Sequence, residues 1–219
     1  MEVTVEQRQP NPYRERLTEF PGRLFTFTDF EHDRKLVCER SKGKQIICEL
    51  CSGSGGHLLD LAERAPETQF YGFELRFKRS VRTIEKGEKR GISNVFLLRT
   101  NARNAPLIFP PNSISGVYIN FPDPWEKRRG EKHRLFDSKF LTEWYSLLIP
   151  GGFISVKTDH HEYFETLLTL VRAGTLFRIE EMTHNLYESN FLQANISTEF
   201  ERMFRDKGNA ICYLKLIAG

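Results

Sequence analysis

The chain has 219 residues, with 32 Lys or Arg against 29 Asp or Glu, a formal net charge of +3. That length fits one large domain, and 39% hydrophobic with 28% charged residues is the balance of a soluble globular protein rather than a disordered or fibrous one. No apolar run approaches the roughly 18 residues of a membrane span, and MEVTVEQRQPNPYRERL has neither a secretory apolar core nor the Arg/Ser-rich, acid-poor character of a transit peptide. The expectation is a cytoplasmic protein with no membrane partner.

Over residues 1–40 the polar stretch RQPNPYRERL, interrupted by two prolines, predicts a partly irregular arm; residues 41–219 read as a single domain. A strand over Gln45–Leu50 leads into a helix over Gly55–Ala65, whose apolar spacing (Leu58, Leu61, Ala62) is helical. A strand over Gln69–Leu75 and a helix over Phe77–Arg90 follow, then strands over Asn94–Thr100 and Ile114–Asn120. A helix over Ser138–Leu148 is stopped by Pro150–Gly152 before a strand over Phe153–Thr158. The helix over His161–Arg172, carrying Phe164, Leu167, Leu168 and Val171, and strands over Phe177–Thr183 and Ala210–Ile217 complete the series. Strands alternating with helices predict an α/β fold, a mostly parallel sheet of seven strands with helices on both faces.

Among the four cysteines, Cys48 and Cys51 make a Cys-x-x-Cys pair. A redox pair of this spacing sits at a helix N-terminus, whereas Cys48 lies inside the apolar run QIICEL, and no second ligand pair for a metal is evident. Cys38, Cys48, Cys51 and Cys212 therefore read as reduced thiols, and no metal is expected.

In ICELCSGSGGHLLDLA a strand ends in an acid, passes a turn with Gly53, Gly55 and Gly56, and enters an amphipathic helix, the form of a ligand loop. Counting from Gly53, the last position of a G-x-G-x-x-G fingerprint would be Leu58, so a dinucleotide site fails; a P-loop fails for want of Gly-Lys-Ser/Thr. The order acid, glycine turn, then a second acid after the next strand resembles the nucleoside methyl-donor site of class I methyltransferases. Under that resemblance Glu74 accepts both hydroxyls of a ribose, Glu49 lies near the methionine end of the donor, and Asn101, with Ala102 after the third strand, reads adenine. The bland reading of Glu74 is a solvated strand end.

The INFPDPW turn falls after the fourth strand, at the edge where open α/β sheets place ligands, and its prolines restrict the backbone on both sides of Asp123. Lys127, Arg128, Arg129, Lys132 and Arg134 then stand against Glu126 and Glu131, a local cationic excess suited to phosphates. As an isolated motif, an Asp-Pro turn with a packed Trp125 explains the first feature and a solvated loop the second.

FPDPW-x-K-x-R with further basic residues, KTD at Lys157–Asp159, TEFE at Thr198–Glu201 and NPY near Asn11 together resemble the bacterial tRNA (guanine-N7)-methyltransferases over nearly the whole chain. The resemblance implies a Rossmann-like domain that transfers methyl from S-adenosylmethionine, leaving S-adenosylhomocysteine, to guanine N7 in the tRNA variable loop, position 46. It implies that Glu49, Gly53, Gly55, Glu74, Asn101, Ala102 and Asp123 bind the donor and that Asp123 is also catalytic. Lys127, Asp159, Thr198, Glu199, Phe200 and Glu201 would contact the substrate, and Arg128, Arg129, Lys132, His133 and Arg134 would bind tRNA.

The residue types suit that chemistry. Guanine N7 carries an in-plane lone pair, so positioning dominates, and a carboxylate such as Asp123 stabilises the cationic purine that forms. Acceptors for the guanine N1–H and N2 amine come from Glu201, Asp159 or Thr198, and the base is expected to turn out of its stack. Thr198–Glu201 also reads as a helix N-cap with a capping-box Glu. His57, His160 and His161 read as surface or helix-start residues. The chain departs from the family pattern at Cys51, where glycine is usual, at Asn101, where aspartate is usual, and at Gly130 and His133 in the basic loop. An RNA-binding protein of the same fold without turnover is the alternative, and a monomer or homodimer fits equally.

Overall fold

Val95, Phe96, Leu97 and Leu98 are all buried, and they divide between two cores: Val95 and Leu97 join one, Phe96 and Leu98 the other. Such a strand is covered on both faces. The structure, a computed structural model, describes residues 11–125, 134–174 and 176–219. Its elements run α1 (Pro12–Glu15), β1 (Leu24–Phe25), α2 (Phe30–Ser41), β2 (Ile46–Leu50), α3 (Gly56–Arg64), β3 (Gln69–Phe73), α4 (Phe77–Lys89), β4 (Val95–Leu98), α5 (Ala105–Ile108), β5 (Ile114–Asn120), α6 (Ser138–Leu147), β6 (Leu148–Thr158), α7 (His161–Ala173), β7 (Phe177–Thr183), α8 (Glu199–Asp206) and β8 (Cys212–Ala218).

The sheet has eight strands in the order β1-β4-β3-β2-β5-β6-β8-β7. From β1 to β6 neighbouring strands are parallel, while β8 runs antiparallel to both β6 and β7. The strand beyond the expected seven is β1, whose two residues pair with β4 at Leu24↔Leu97 and Phe25↔Leu98. Two residues are too short to show a period of two in sequence.

Residues 11–40 carry α1, β1 and α2. Leu17, Leu24, Phe25 and Val37 are buried in the two cores, and the Arg23 guanidinium donates to the Ile92 and Val95 carbonyls. The sequence hid this because α2, FEHDRKLVCERS, buries Val37 alone and so carries no apolar stripe. Its start is marked instead by Asp29, whose side chain accepts the His32 N–H.

The larger core takes Tyr71, Phe73, Val117, Ile119, Ile154 and Val156 from the sheet and packs them on α2, α5, α6 and α7. Trp144 is fully buried there, edge-on to Phe73 at 6.0 Å. The smaller core sets Leu58, Leu59 and Ala62 of α3 and Val81 and Ile84 of α4 against Phe70, Val95 and Leu97. Fully burying side chains of this size contributes about 1.5–3 kcal/mol each. Pro150–Gly152 does not separate helix from strand as expected: β6 already begins at Leu148, and its pairing with β5 shifts register between Ile114 and Gly116. The consequence for function is that β2, β3, β4, β5 and β6 all end at one edge, the carboxyl edge.

Candidate active site at the carboxyl edge

The turn after β2 is built by backbone and by neighbours. Ser52 N–H donates to the Phe73 carbonyl at 3.1 Å, and Gly55 N–H to the Ser52 carbonyl at 2.9 Å. Gly55 has φ +73°, and a Cβ there would stand 2.2 Å from Thr83 Cγ2, so the close approach of α3 to α4 requires glycine. Cys51 also sits in the left-handed region, at φ +56°, where a side chain is strained. This is a conformation that favours glycine, so Cys51 carries backbone strain.

Glu74, one residue past β3, is buried and tied to this turn. Its Oε2 accepts the Gly53 N–H at 3.0 Å and its Oε1 the Arg76 N–H at 2.8 Å. A carboxylate has about four acceptor positions, so each oxygen keeps one for a ligand hydroxyl. Asn101 caps the short turn after β4, its Oδ1 accepting Arg103 N–H at 3.0 Å, and Ala102 follows, buried. After β5, Asp123 Oδ1 accepts Trp125 N–H at 3.1 Å, and both Phe121 (φ +52°) and Trp125 (φ +46°) lie in the left-handed region. Bulky residues rarely adopt it, so the FPDPW turn is strained as well as proline-stiffened. Arg134 braces the turn, its Nε donating to the Pro124 carbonyl at 2.9 Å.

These pieces line one cavity of about 490 Å3, with Cys51, Glu74, Asn101, Ala102, Asp123, Trp125, Arg134 and Phe200 in its walls. Leu75, Trp125 and Phe200 are exposed large hydrophobics at this site. Desolvation pushes the Cys51 thiol up to about 11, with the charges of Glu74, Glu49 and Asp123 adding to it. Two of these carboxylates, Glu74 and Asp123, stand in the cavity walls beside Cys51.

Glu49 stands behind the turn rather than in the lining. It is buried, and its Oε1 accepts from His57 Nδ1 at 2.9 Å and Asn120 Nδ2 at 2.8 Å, while Oε2 has no partner. His57 is a helix-start residue, in the first turn of α3, and it is buried rather than on the surface, as a partner of Glu49 whose ring meets Tyr118 edge-on at 5.2 Å. Sequence reading missed both His57 and Asn120, although an Asn ending an apolar strand is a signal of a buried polar contact. His160 is the helix-start residue expected, its Nδ1 accepting Tyr163 N–H at 3.1 Å.

Phe200 and Glu199 of the TEFE segment face the site. The Glu199 carboxylate accepts the Ser54 hydroxyl at 2.6 Å, fastening α8 to the glycine turn, and Phe200 lies in an aromatic group with Phe121 and Phe204. Glu201 does not face it. It is fully buried, with Oε1 accepting from Tyr187 and Asn195 and Oε2 from Lys157 Nζ at 2.6 Å and Thr198 N–H at 3.3 Å. Thr198 is the N-cap of α8 in a complete capping box, as the spacing implied. Those four bonds hold the Glu201 carboxylate inside the protein, behind the cavity wall that Phe200 forms. Asp159 lies past the end of β6, bonded to Asn209 Nδ2 at 3.3 Å and outside the cavity lining. Lys127, Arg128, Arg129, Lys132 and His133 lie outside the described residues.

Residues 43–214 match the model of a protein family described as "Putative methyltransferase". The tRNA (guanine-N(7)-)-methyltransferase of Lachnoclostridium phytofermentans is 32% identical over 182 residues, covering 79% of this chain and 85% of that protein. The chain belongs to the tRNA (guanine-N7)-methyltransferase family. A bifunctional glycosyltransferase/methyltransferase of Fusobacterium nucleatum is 35% identical over 93% of this chain, which spans 32% of that longer protein. Among solved structures the 16S rRNA methyltransferase KamB superposes with a TM-score of 0.62 at 15% identity, over 89% of this chain and 95% of that one, a likeness of fold. Within the family fold, the cleft described above occupies the carboxyl edge beside the glycine turn. No helix among the described residues is long and apolar enough to cross a membrane.

Proposed function

We propose that this protein transfers a methyl group from S-adenosylmethionine to N7 of guanine in the tRNA variable loop, at position 46, releasing S-adenosylhomocysteine. The observation that carries this reading is the single cavity walled by Glu74, Asn101, Asp123 and Phe200, in a chain whose relatives are named for that reaction. The donor, when bound, supplies the electrophilic methyl.

The residues present fit such a donor. Glu74 is held by two backbone N–H groups and offers its two remaining lone pairs to a ribose diol. Asn101 Oδ1, which accepts the Arg103 N–H, has a second lone pair that suits an adenine amine. The unpartnered Glu49 Oε2 leaves negative charge behind the turn, which complements an ammonium group.

Asp123 projects from a turn that both prolines and two left-handed residues hold still, so its carboxylate is already oriented when positive charge grows on the purine. N7 needs no proton removed, and the cleft accordingly serves by orienting and by anionic stabilisation. Phe200 and Trp125, both partly exposed in the cavity wall, are aromatic side chains of the kind on which a base stacks. Glu199 holds Phe200's helix against the glycine turn, so donor loop and base platform are one unit. The basic loop 127–134 supplies phosphate contacts, and the protein acts in the cytoplasm on tRNA as a monomer or homodimer.

Tritiated donor with unmodified tRNA tests the reading. Label should appear as 7-methylguanosine in digested tRNA and be lost when the variable-loop guanine is replaced; label in any other nucleoside, or none, overturns it.

A further inference from the structure

On the opposite flank of the carboxyl edge, three donor atoms from two elements converge. His161 and Glu165 lie one turn apart on α7, and His184 follows the last residue of β7. His184 Nε2 is 2.7 Å from Glu165 Oε1, and His161 Nε2 is 3.8 Å from the same oxygen. The imidazole rings stack with centroids 5.1 Å apart and planes at 23°, and Phe164 meets the His184 ring edge-on at 5.4 Å. All three donor atoms lie within 4.8 Å of one another, the one such His-containing cluster among the described residues.

We propose that His161, Glu165 and His184 form a binding site for a divalent transition-metal ion of the zinc type. Two ligands about 2.1 Å from a tetrahedral ion stand roughly 3.4 Å apart, and the separations of 2.7 and 3.8 Å bracket that value. Imidazole and carboxylate together select zinc, nickel or copper over magnesium or calcium, which prefer oxygen alone. Of the two imidazoles only His184 is within hydrogen-bond distance of the Glu165 oxygen; a shared cation gives the His161 nitrogen a partner as well. Three protein ligands leave the remaining position to water.

The role follows from the position. His161 is two residues past Asp159, and His184 begins the segment that leads to α8 and Phe200. An ion here ties the end of β7 to the start of α7 and so anchors the root of that segment. It lies apart from the cleft and takes no part in methyl transfer. The expectation of no metal rested on the cysteines; His161 and His184, separated by 22 intervening residues, share no metal-binding spacing that sequence alone displays.

The test uses the full chain without a histidine tag, stripped with chelator and titrated with zinc chloride by calorimetry, with thermal unfolding followed in parallel. The expected result is one zinc per chain, a rise in Tm with zinc, and at least about a tenfold loss of affinity with disappearance of the Tm shift in both H161A and H184A. His161 and His184 are 64% and 48% exposed, so both variants should fold. Binding of unchanged affinity in both variants would place the ion on the cysteines or elsewhere and overturn the proposal, as would no zinc binding by the native chain.

Discussion

Lys157 and Glu201, 44 residues apart, meet at 2.6 Å with both side chains almost wholly withdrawn from solvent. The pair joins two motifs that read in sequence as separate substrate contacts, KTD and TEFE. Burial pushes the Lys157 ammonium below its ordinary value, and Glu201 opposes that shift. Burial alone would raise the Glu201 carboxyl, but the charge and hydrogen bond of Lys157, with those of Tyr187 and Asn195, hold it below its ordinary value. The pair therefore acts as a strut that fixes the start of α8.

Removing Glu201 leaves the buried Lys157 ammonium without its counter-charge, held by Asn195 Oδ1 and the Ile196 carbonyl. Glu201→Ala should lower stability by about 3–5 kcal/mol, read as a drop in the urea midpoint. Replacing both, Lys157→Met with Glu201→Leu, should recover most of that loss and retain methyl transfer. A stable double variant that no longer methylates tRNA would give Glu201 or Lys157 a part in substrate binding beyond the strut.

The same pair sets an acid limit. A carboxyl whose folded value is depressed contributes stability that is present above its unfolded pKa and is lost as pH falls through the folded one. The stability difference between the native chain and Glu201→Gln should therefore be full near neutrality and shrink below about pH 4. A difference that stays constant down to pH 3 would contradict the depressed value.

At the cleft, Asp123→Asn keeps the size of the side chain and removes its charge. Turnover should fall by about 100-fold or more while donor affinity changes only a few-fold. Single-turnover methyl transfer with calorimetry of donor binding separates the two, and equal losses in both would make Asp123 a donor-binding residue alone.

Cys51 is exposed yet should be a poor nucleophile, because its thiol is pushed up to about 11. Alkylation of Cys51, followed by peptide mass spectrometry, should be slow at pH 8 and rise steeply toward pH 11. Cys51→Gly relieves the left-handed strain and should stabilise the protein by about 0.5–1 kcal/mol after the added freedom of the unfolded chain is counted. Fast labelling at neutral pH would show that desolvation, with the nearby carboxylates, does not hold this thiol up.

Gly55→Ala meets both a positive φ and the side chain of Thr83. A loss of more than about 2 kcal/mol is expected, together with weaker donor binding; Gly43→Ala, also at positive φ but with open space around it, should cost less. Equal effects at both positions would mean that the contact between α3 and α4 is not tight.

The βαβ series was legible because buried parallel strands and amphipathic helices write their burial into residue spacing; Ile114–Asn120 and Phe177–Thr183 have the predicted bounds. Glu74, Asn101 and Asp123 were legible for a related reason. Each stands just past the end of a strand, and a parallel sheet brings such ends to one edge. Elements that bury little or are very short, α2 and β1, were not legible.

The sequence by itself determined the order of strands and helices, the acids at the strand ends and the motifs that tie the chain to its family, since these depend on local spacing and residue type. Only the tertiary structure decided that Glu201 is spent on Lys157, that Glu49 is held by His57 and Asn120, and that His161 and His184 face one carboxylate. Those facts depend on which distant side chains come within about 3 Å of each other, and a hydrogen-bonding group carries no mark in the sequence of the partner that will satisfy it.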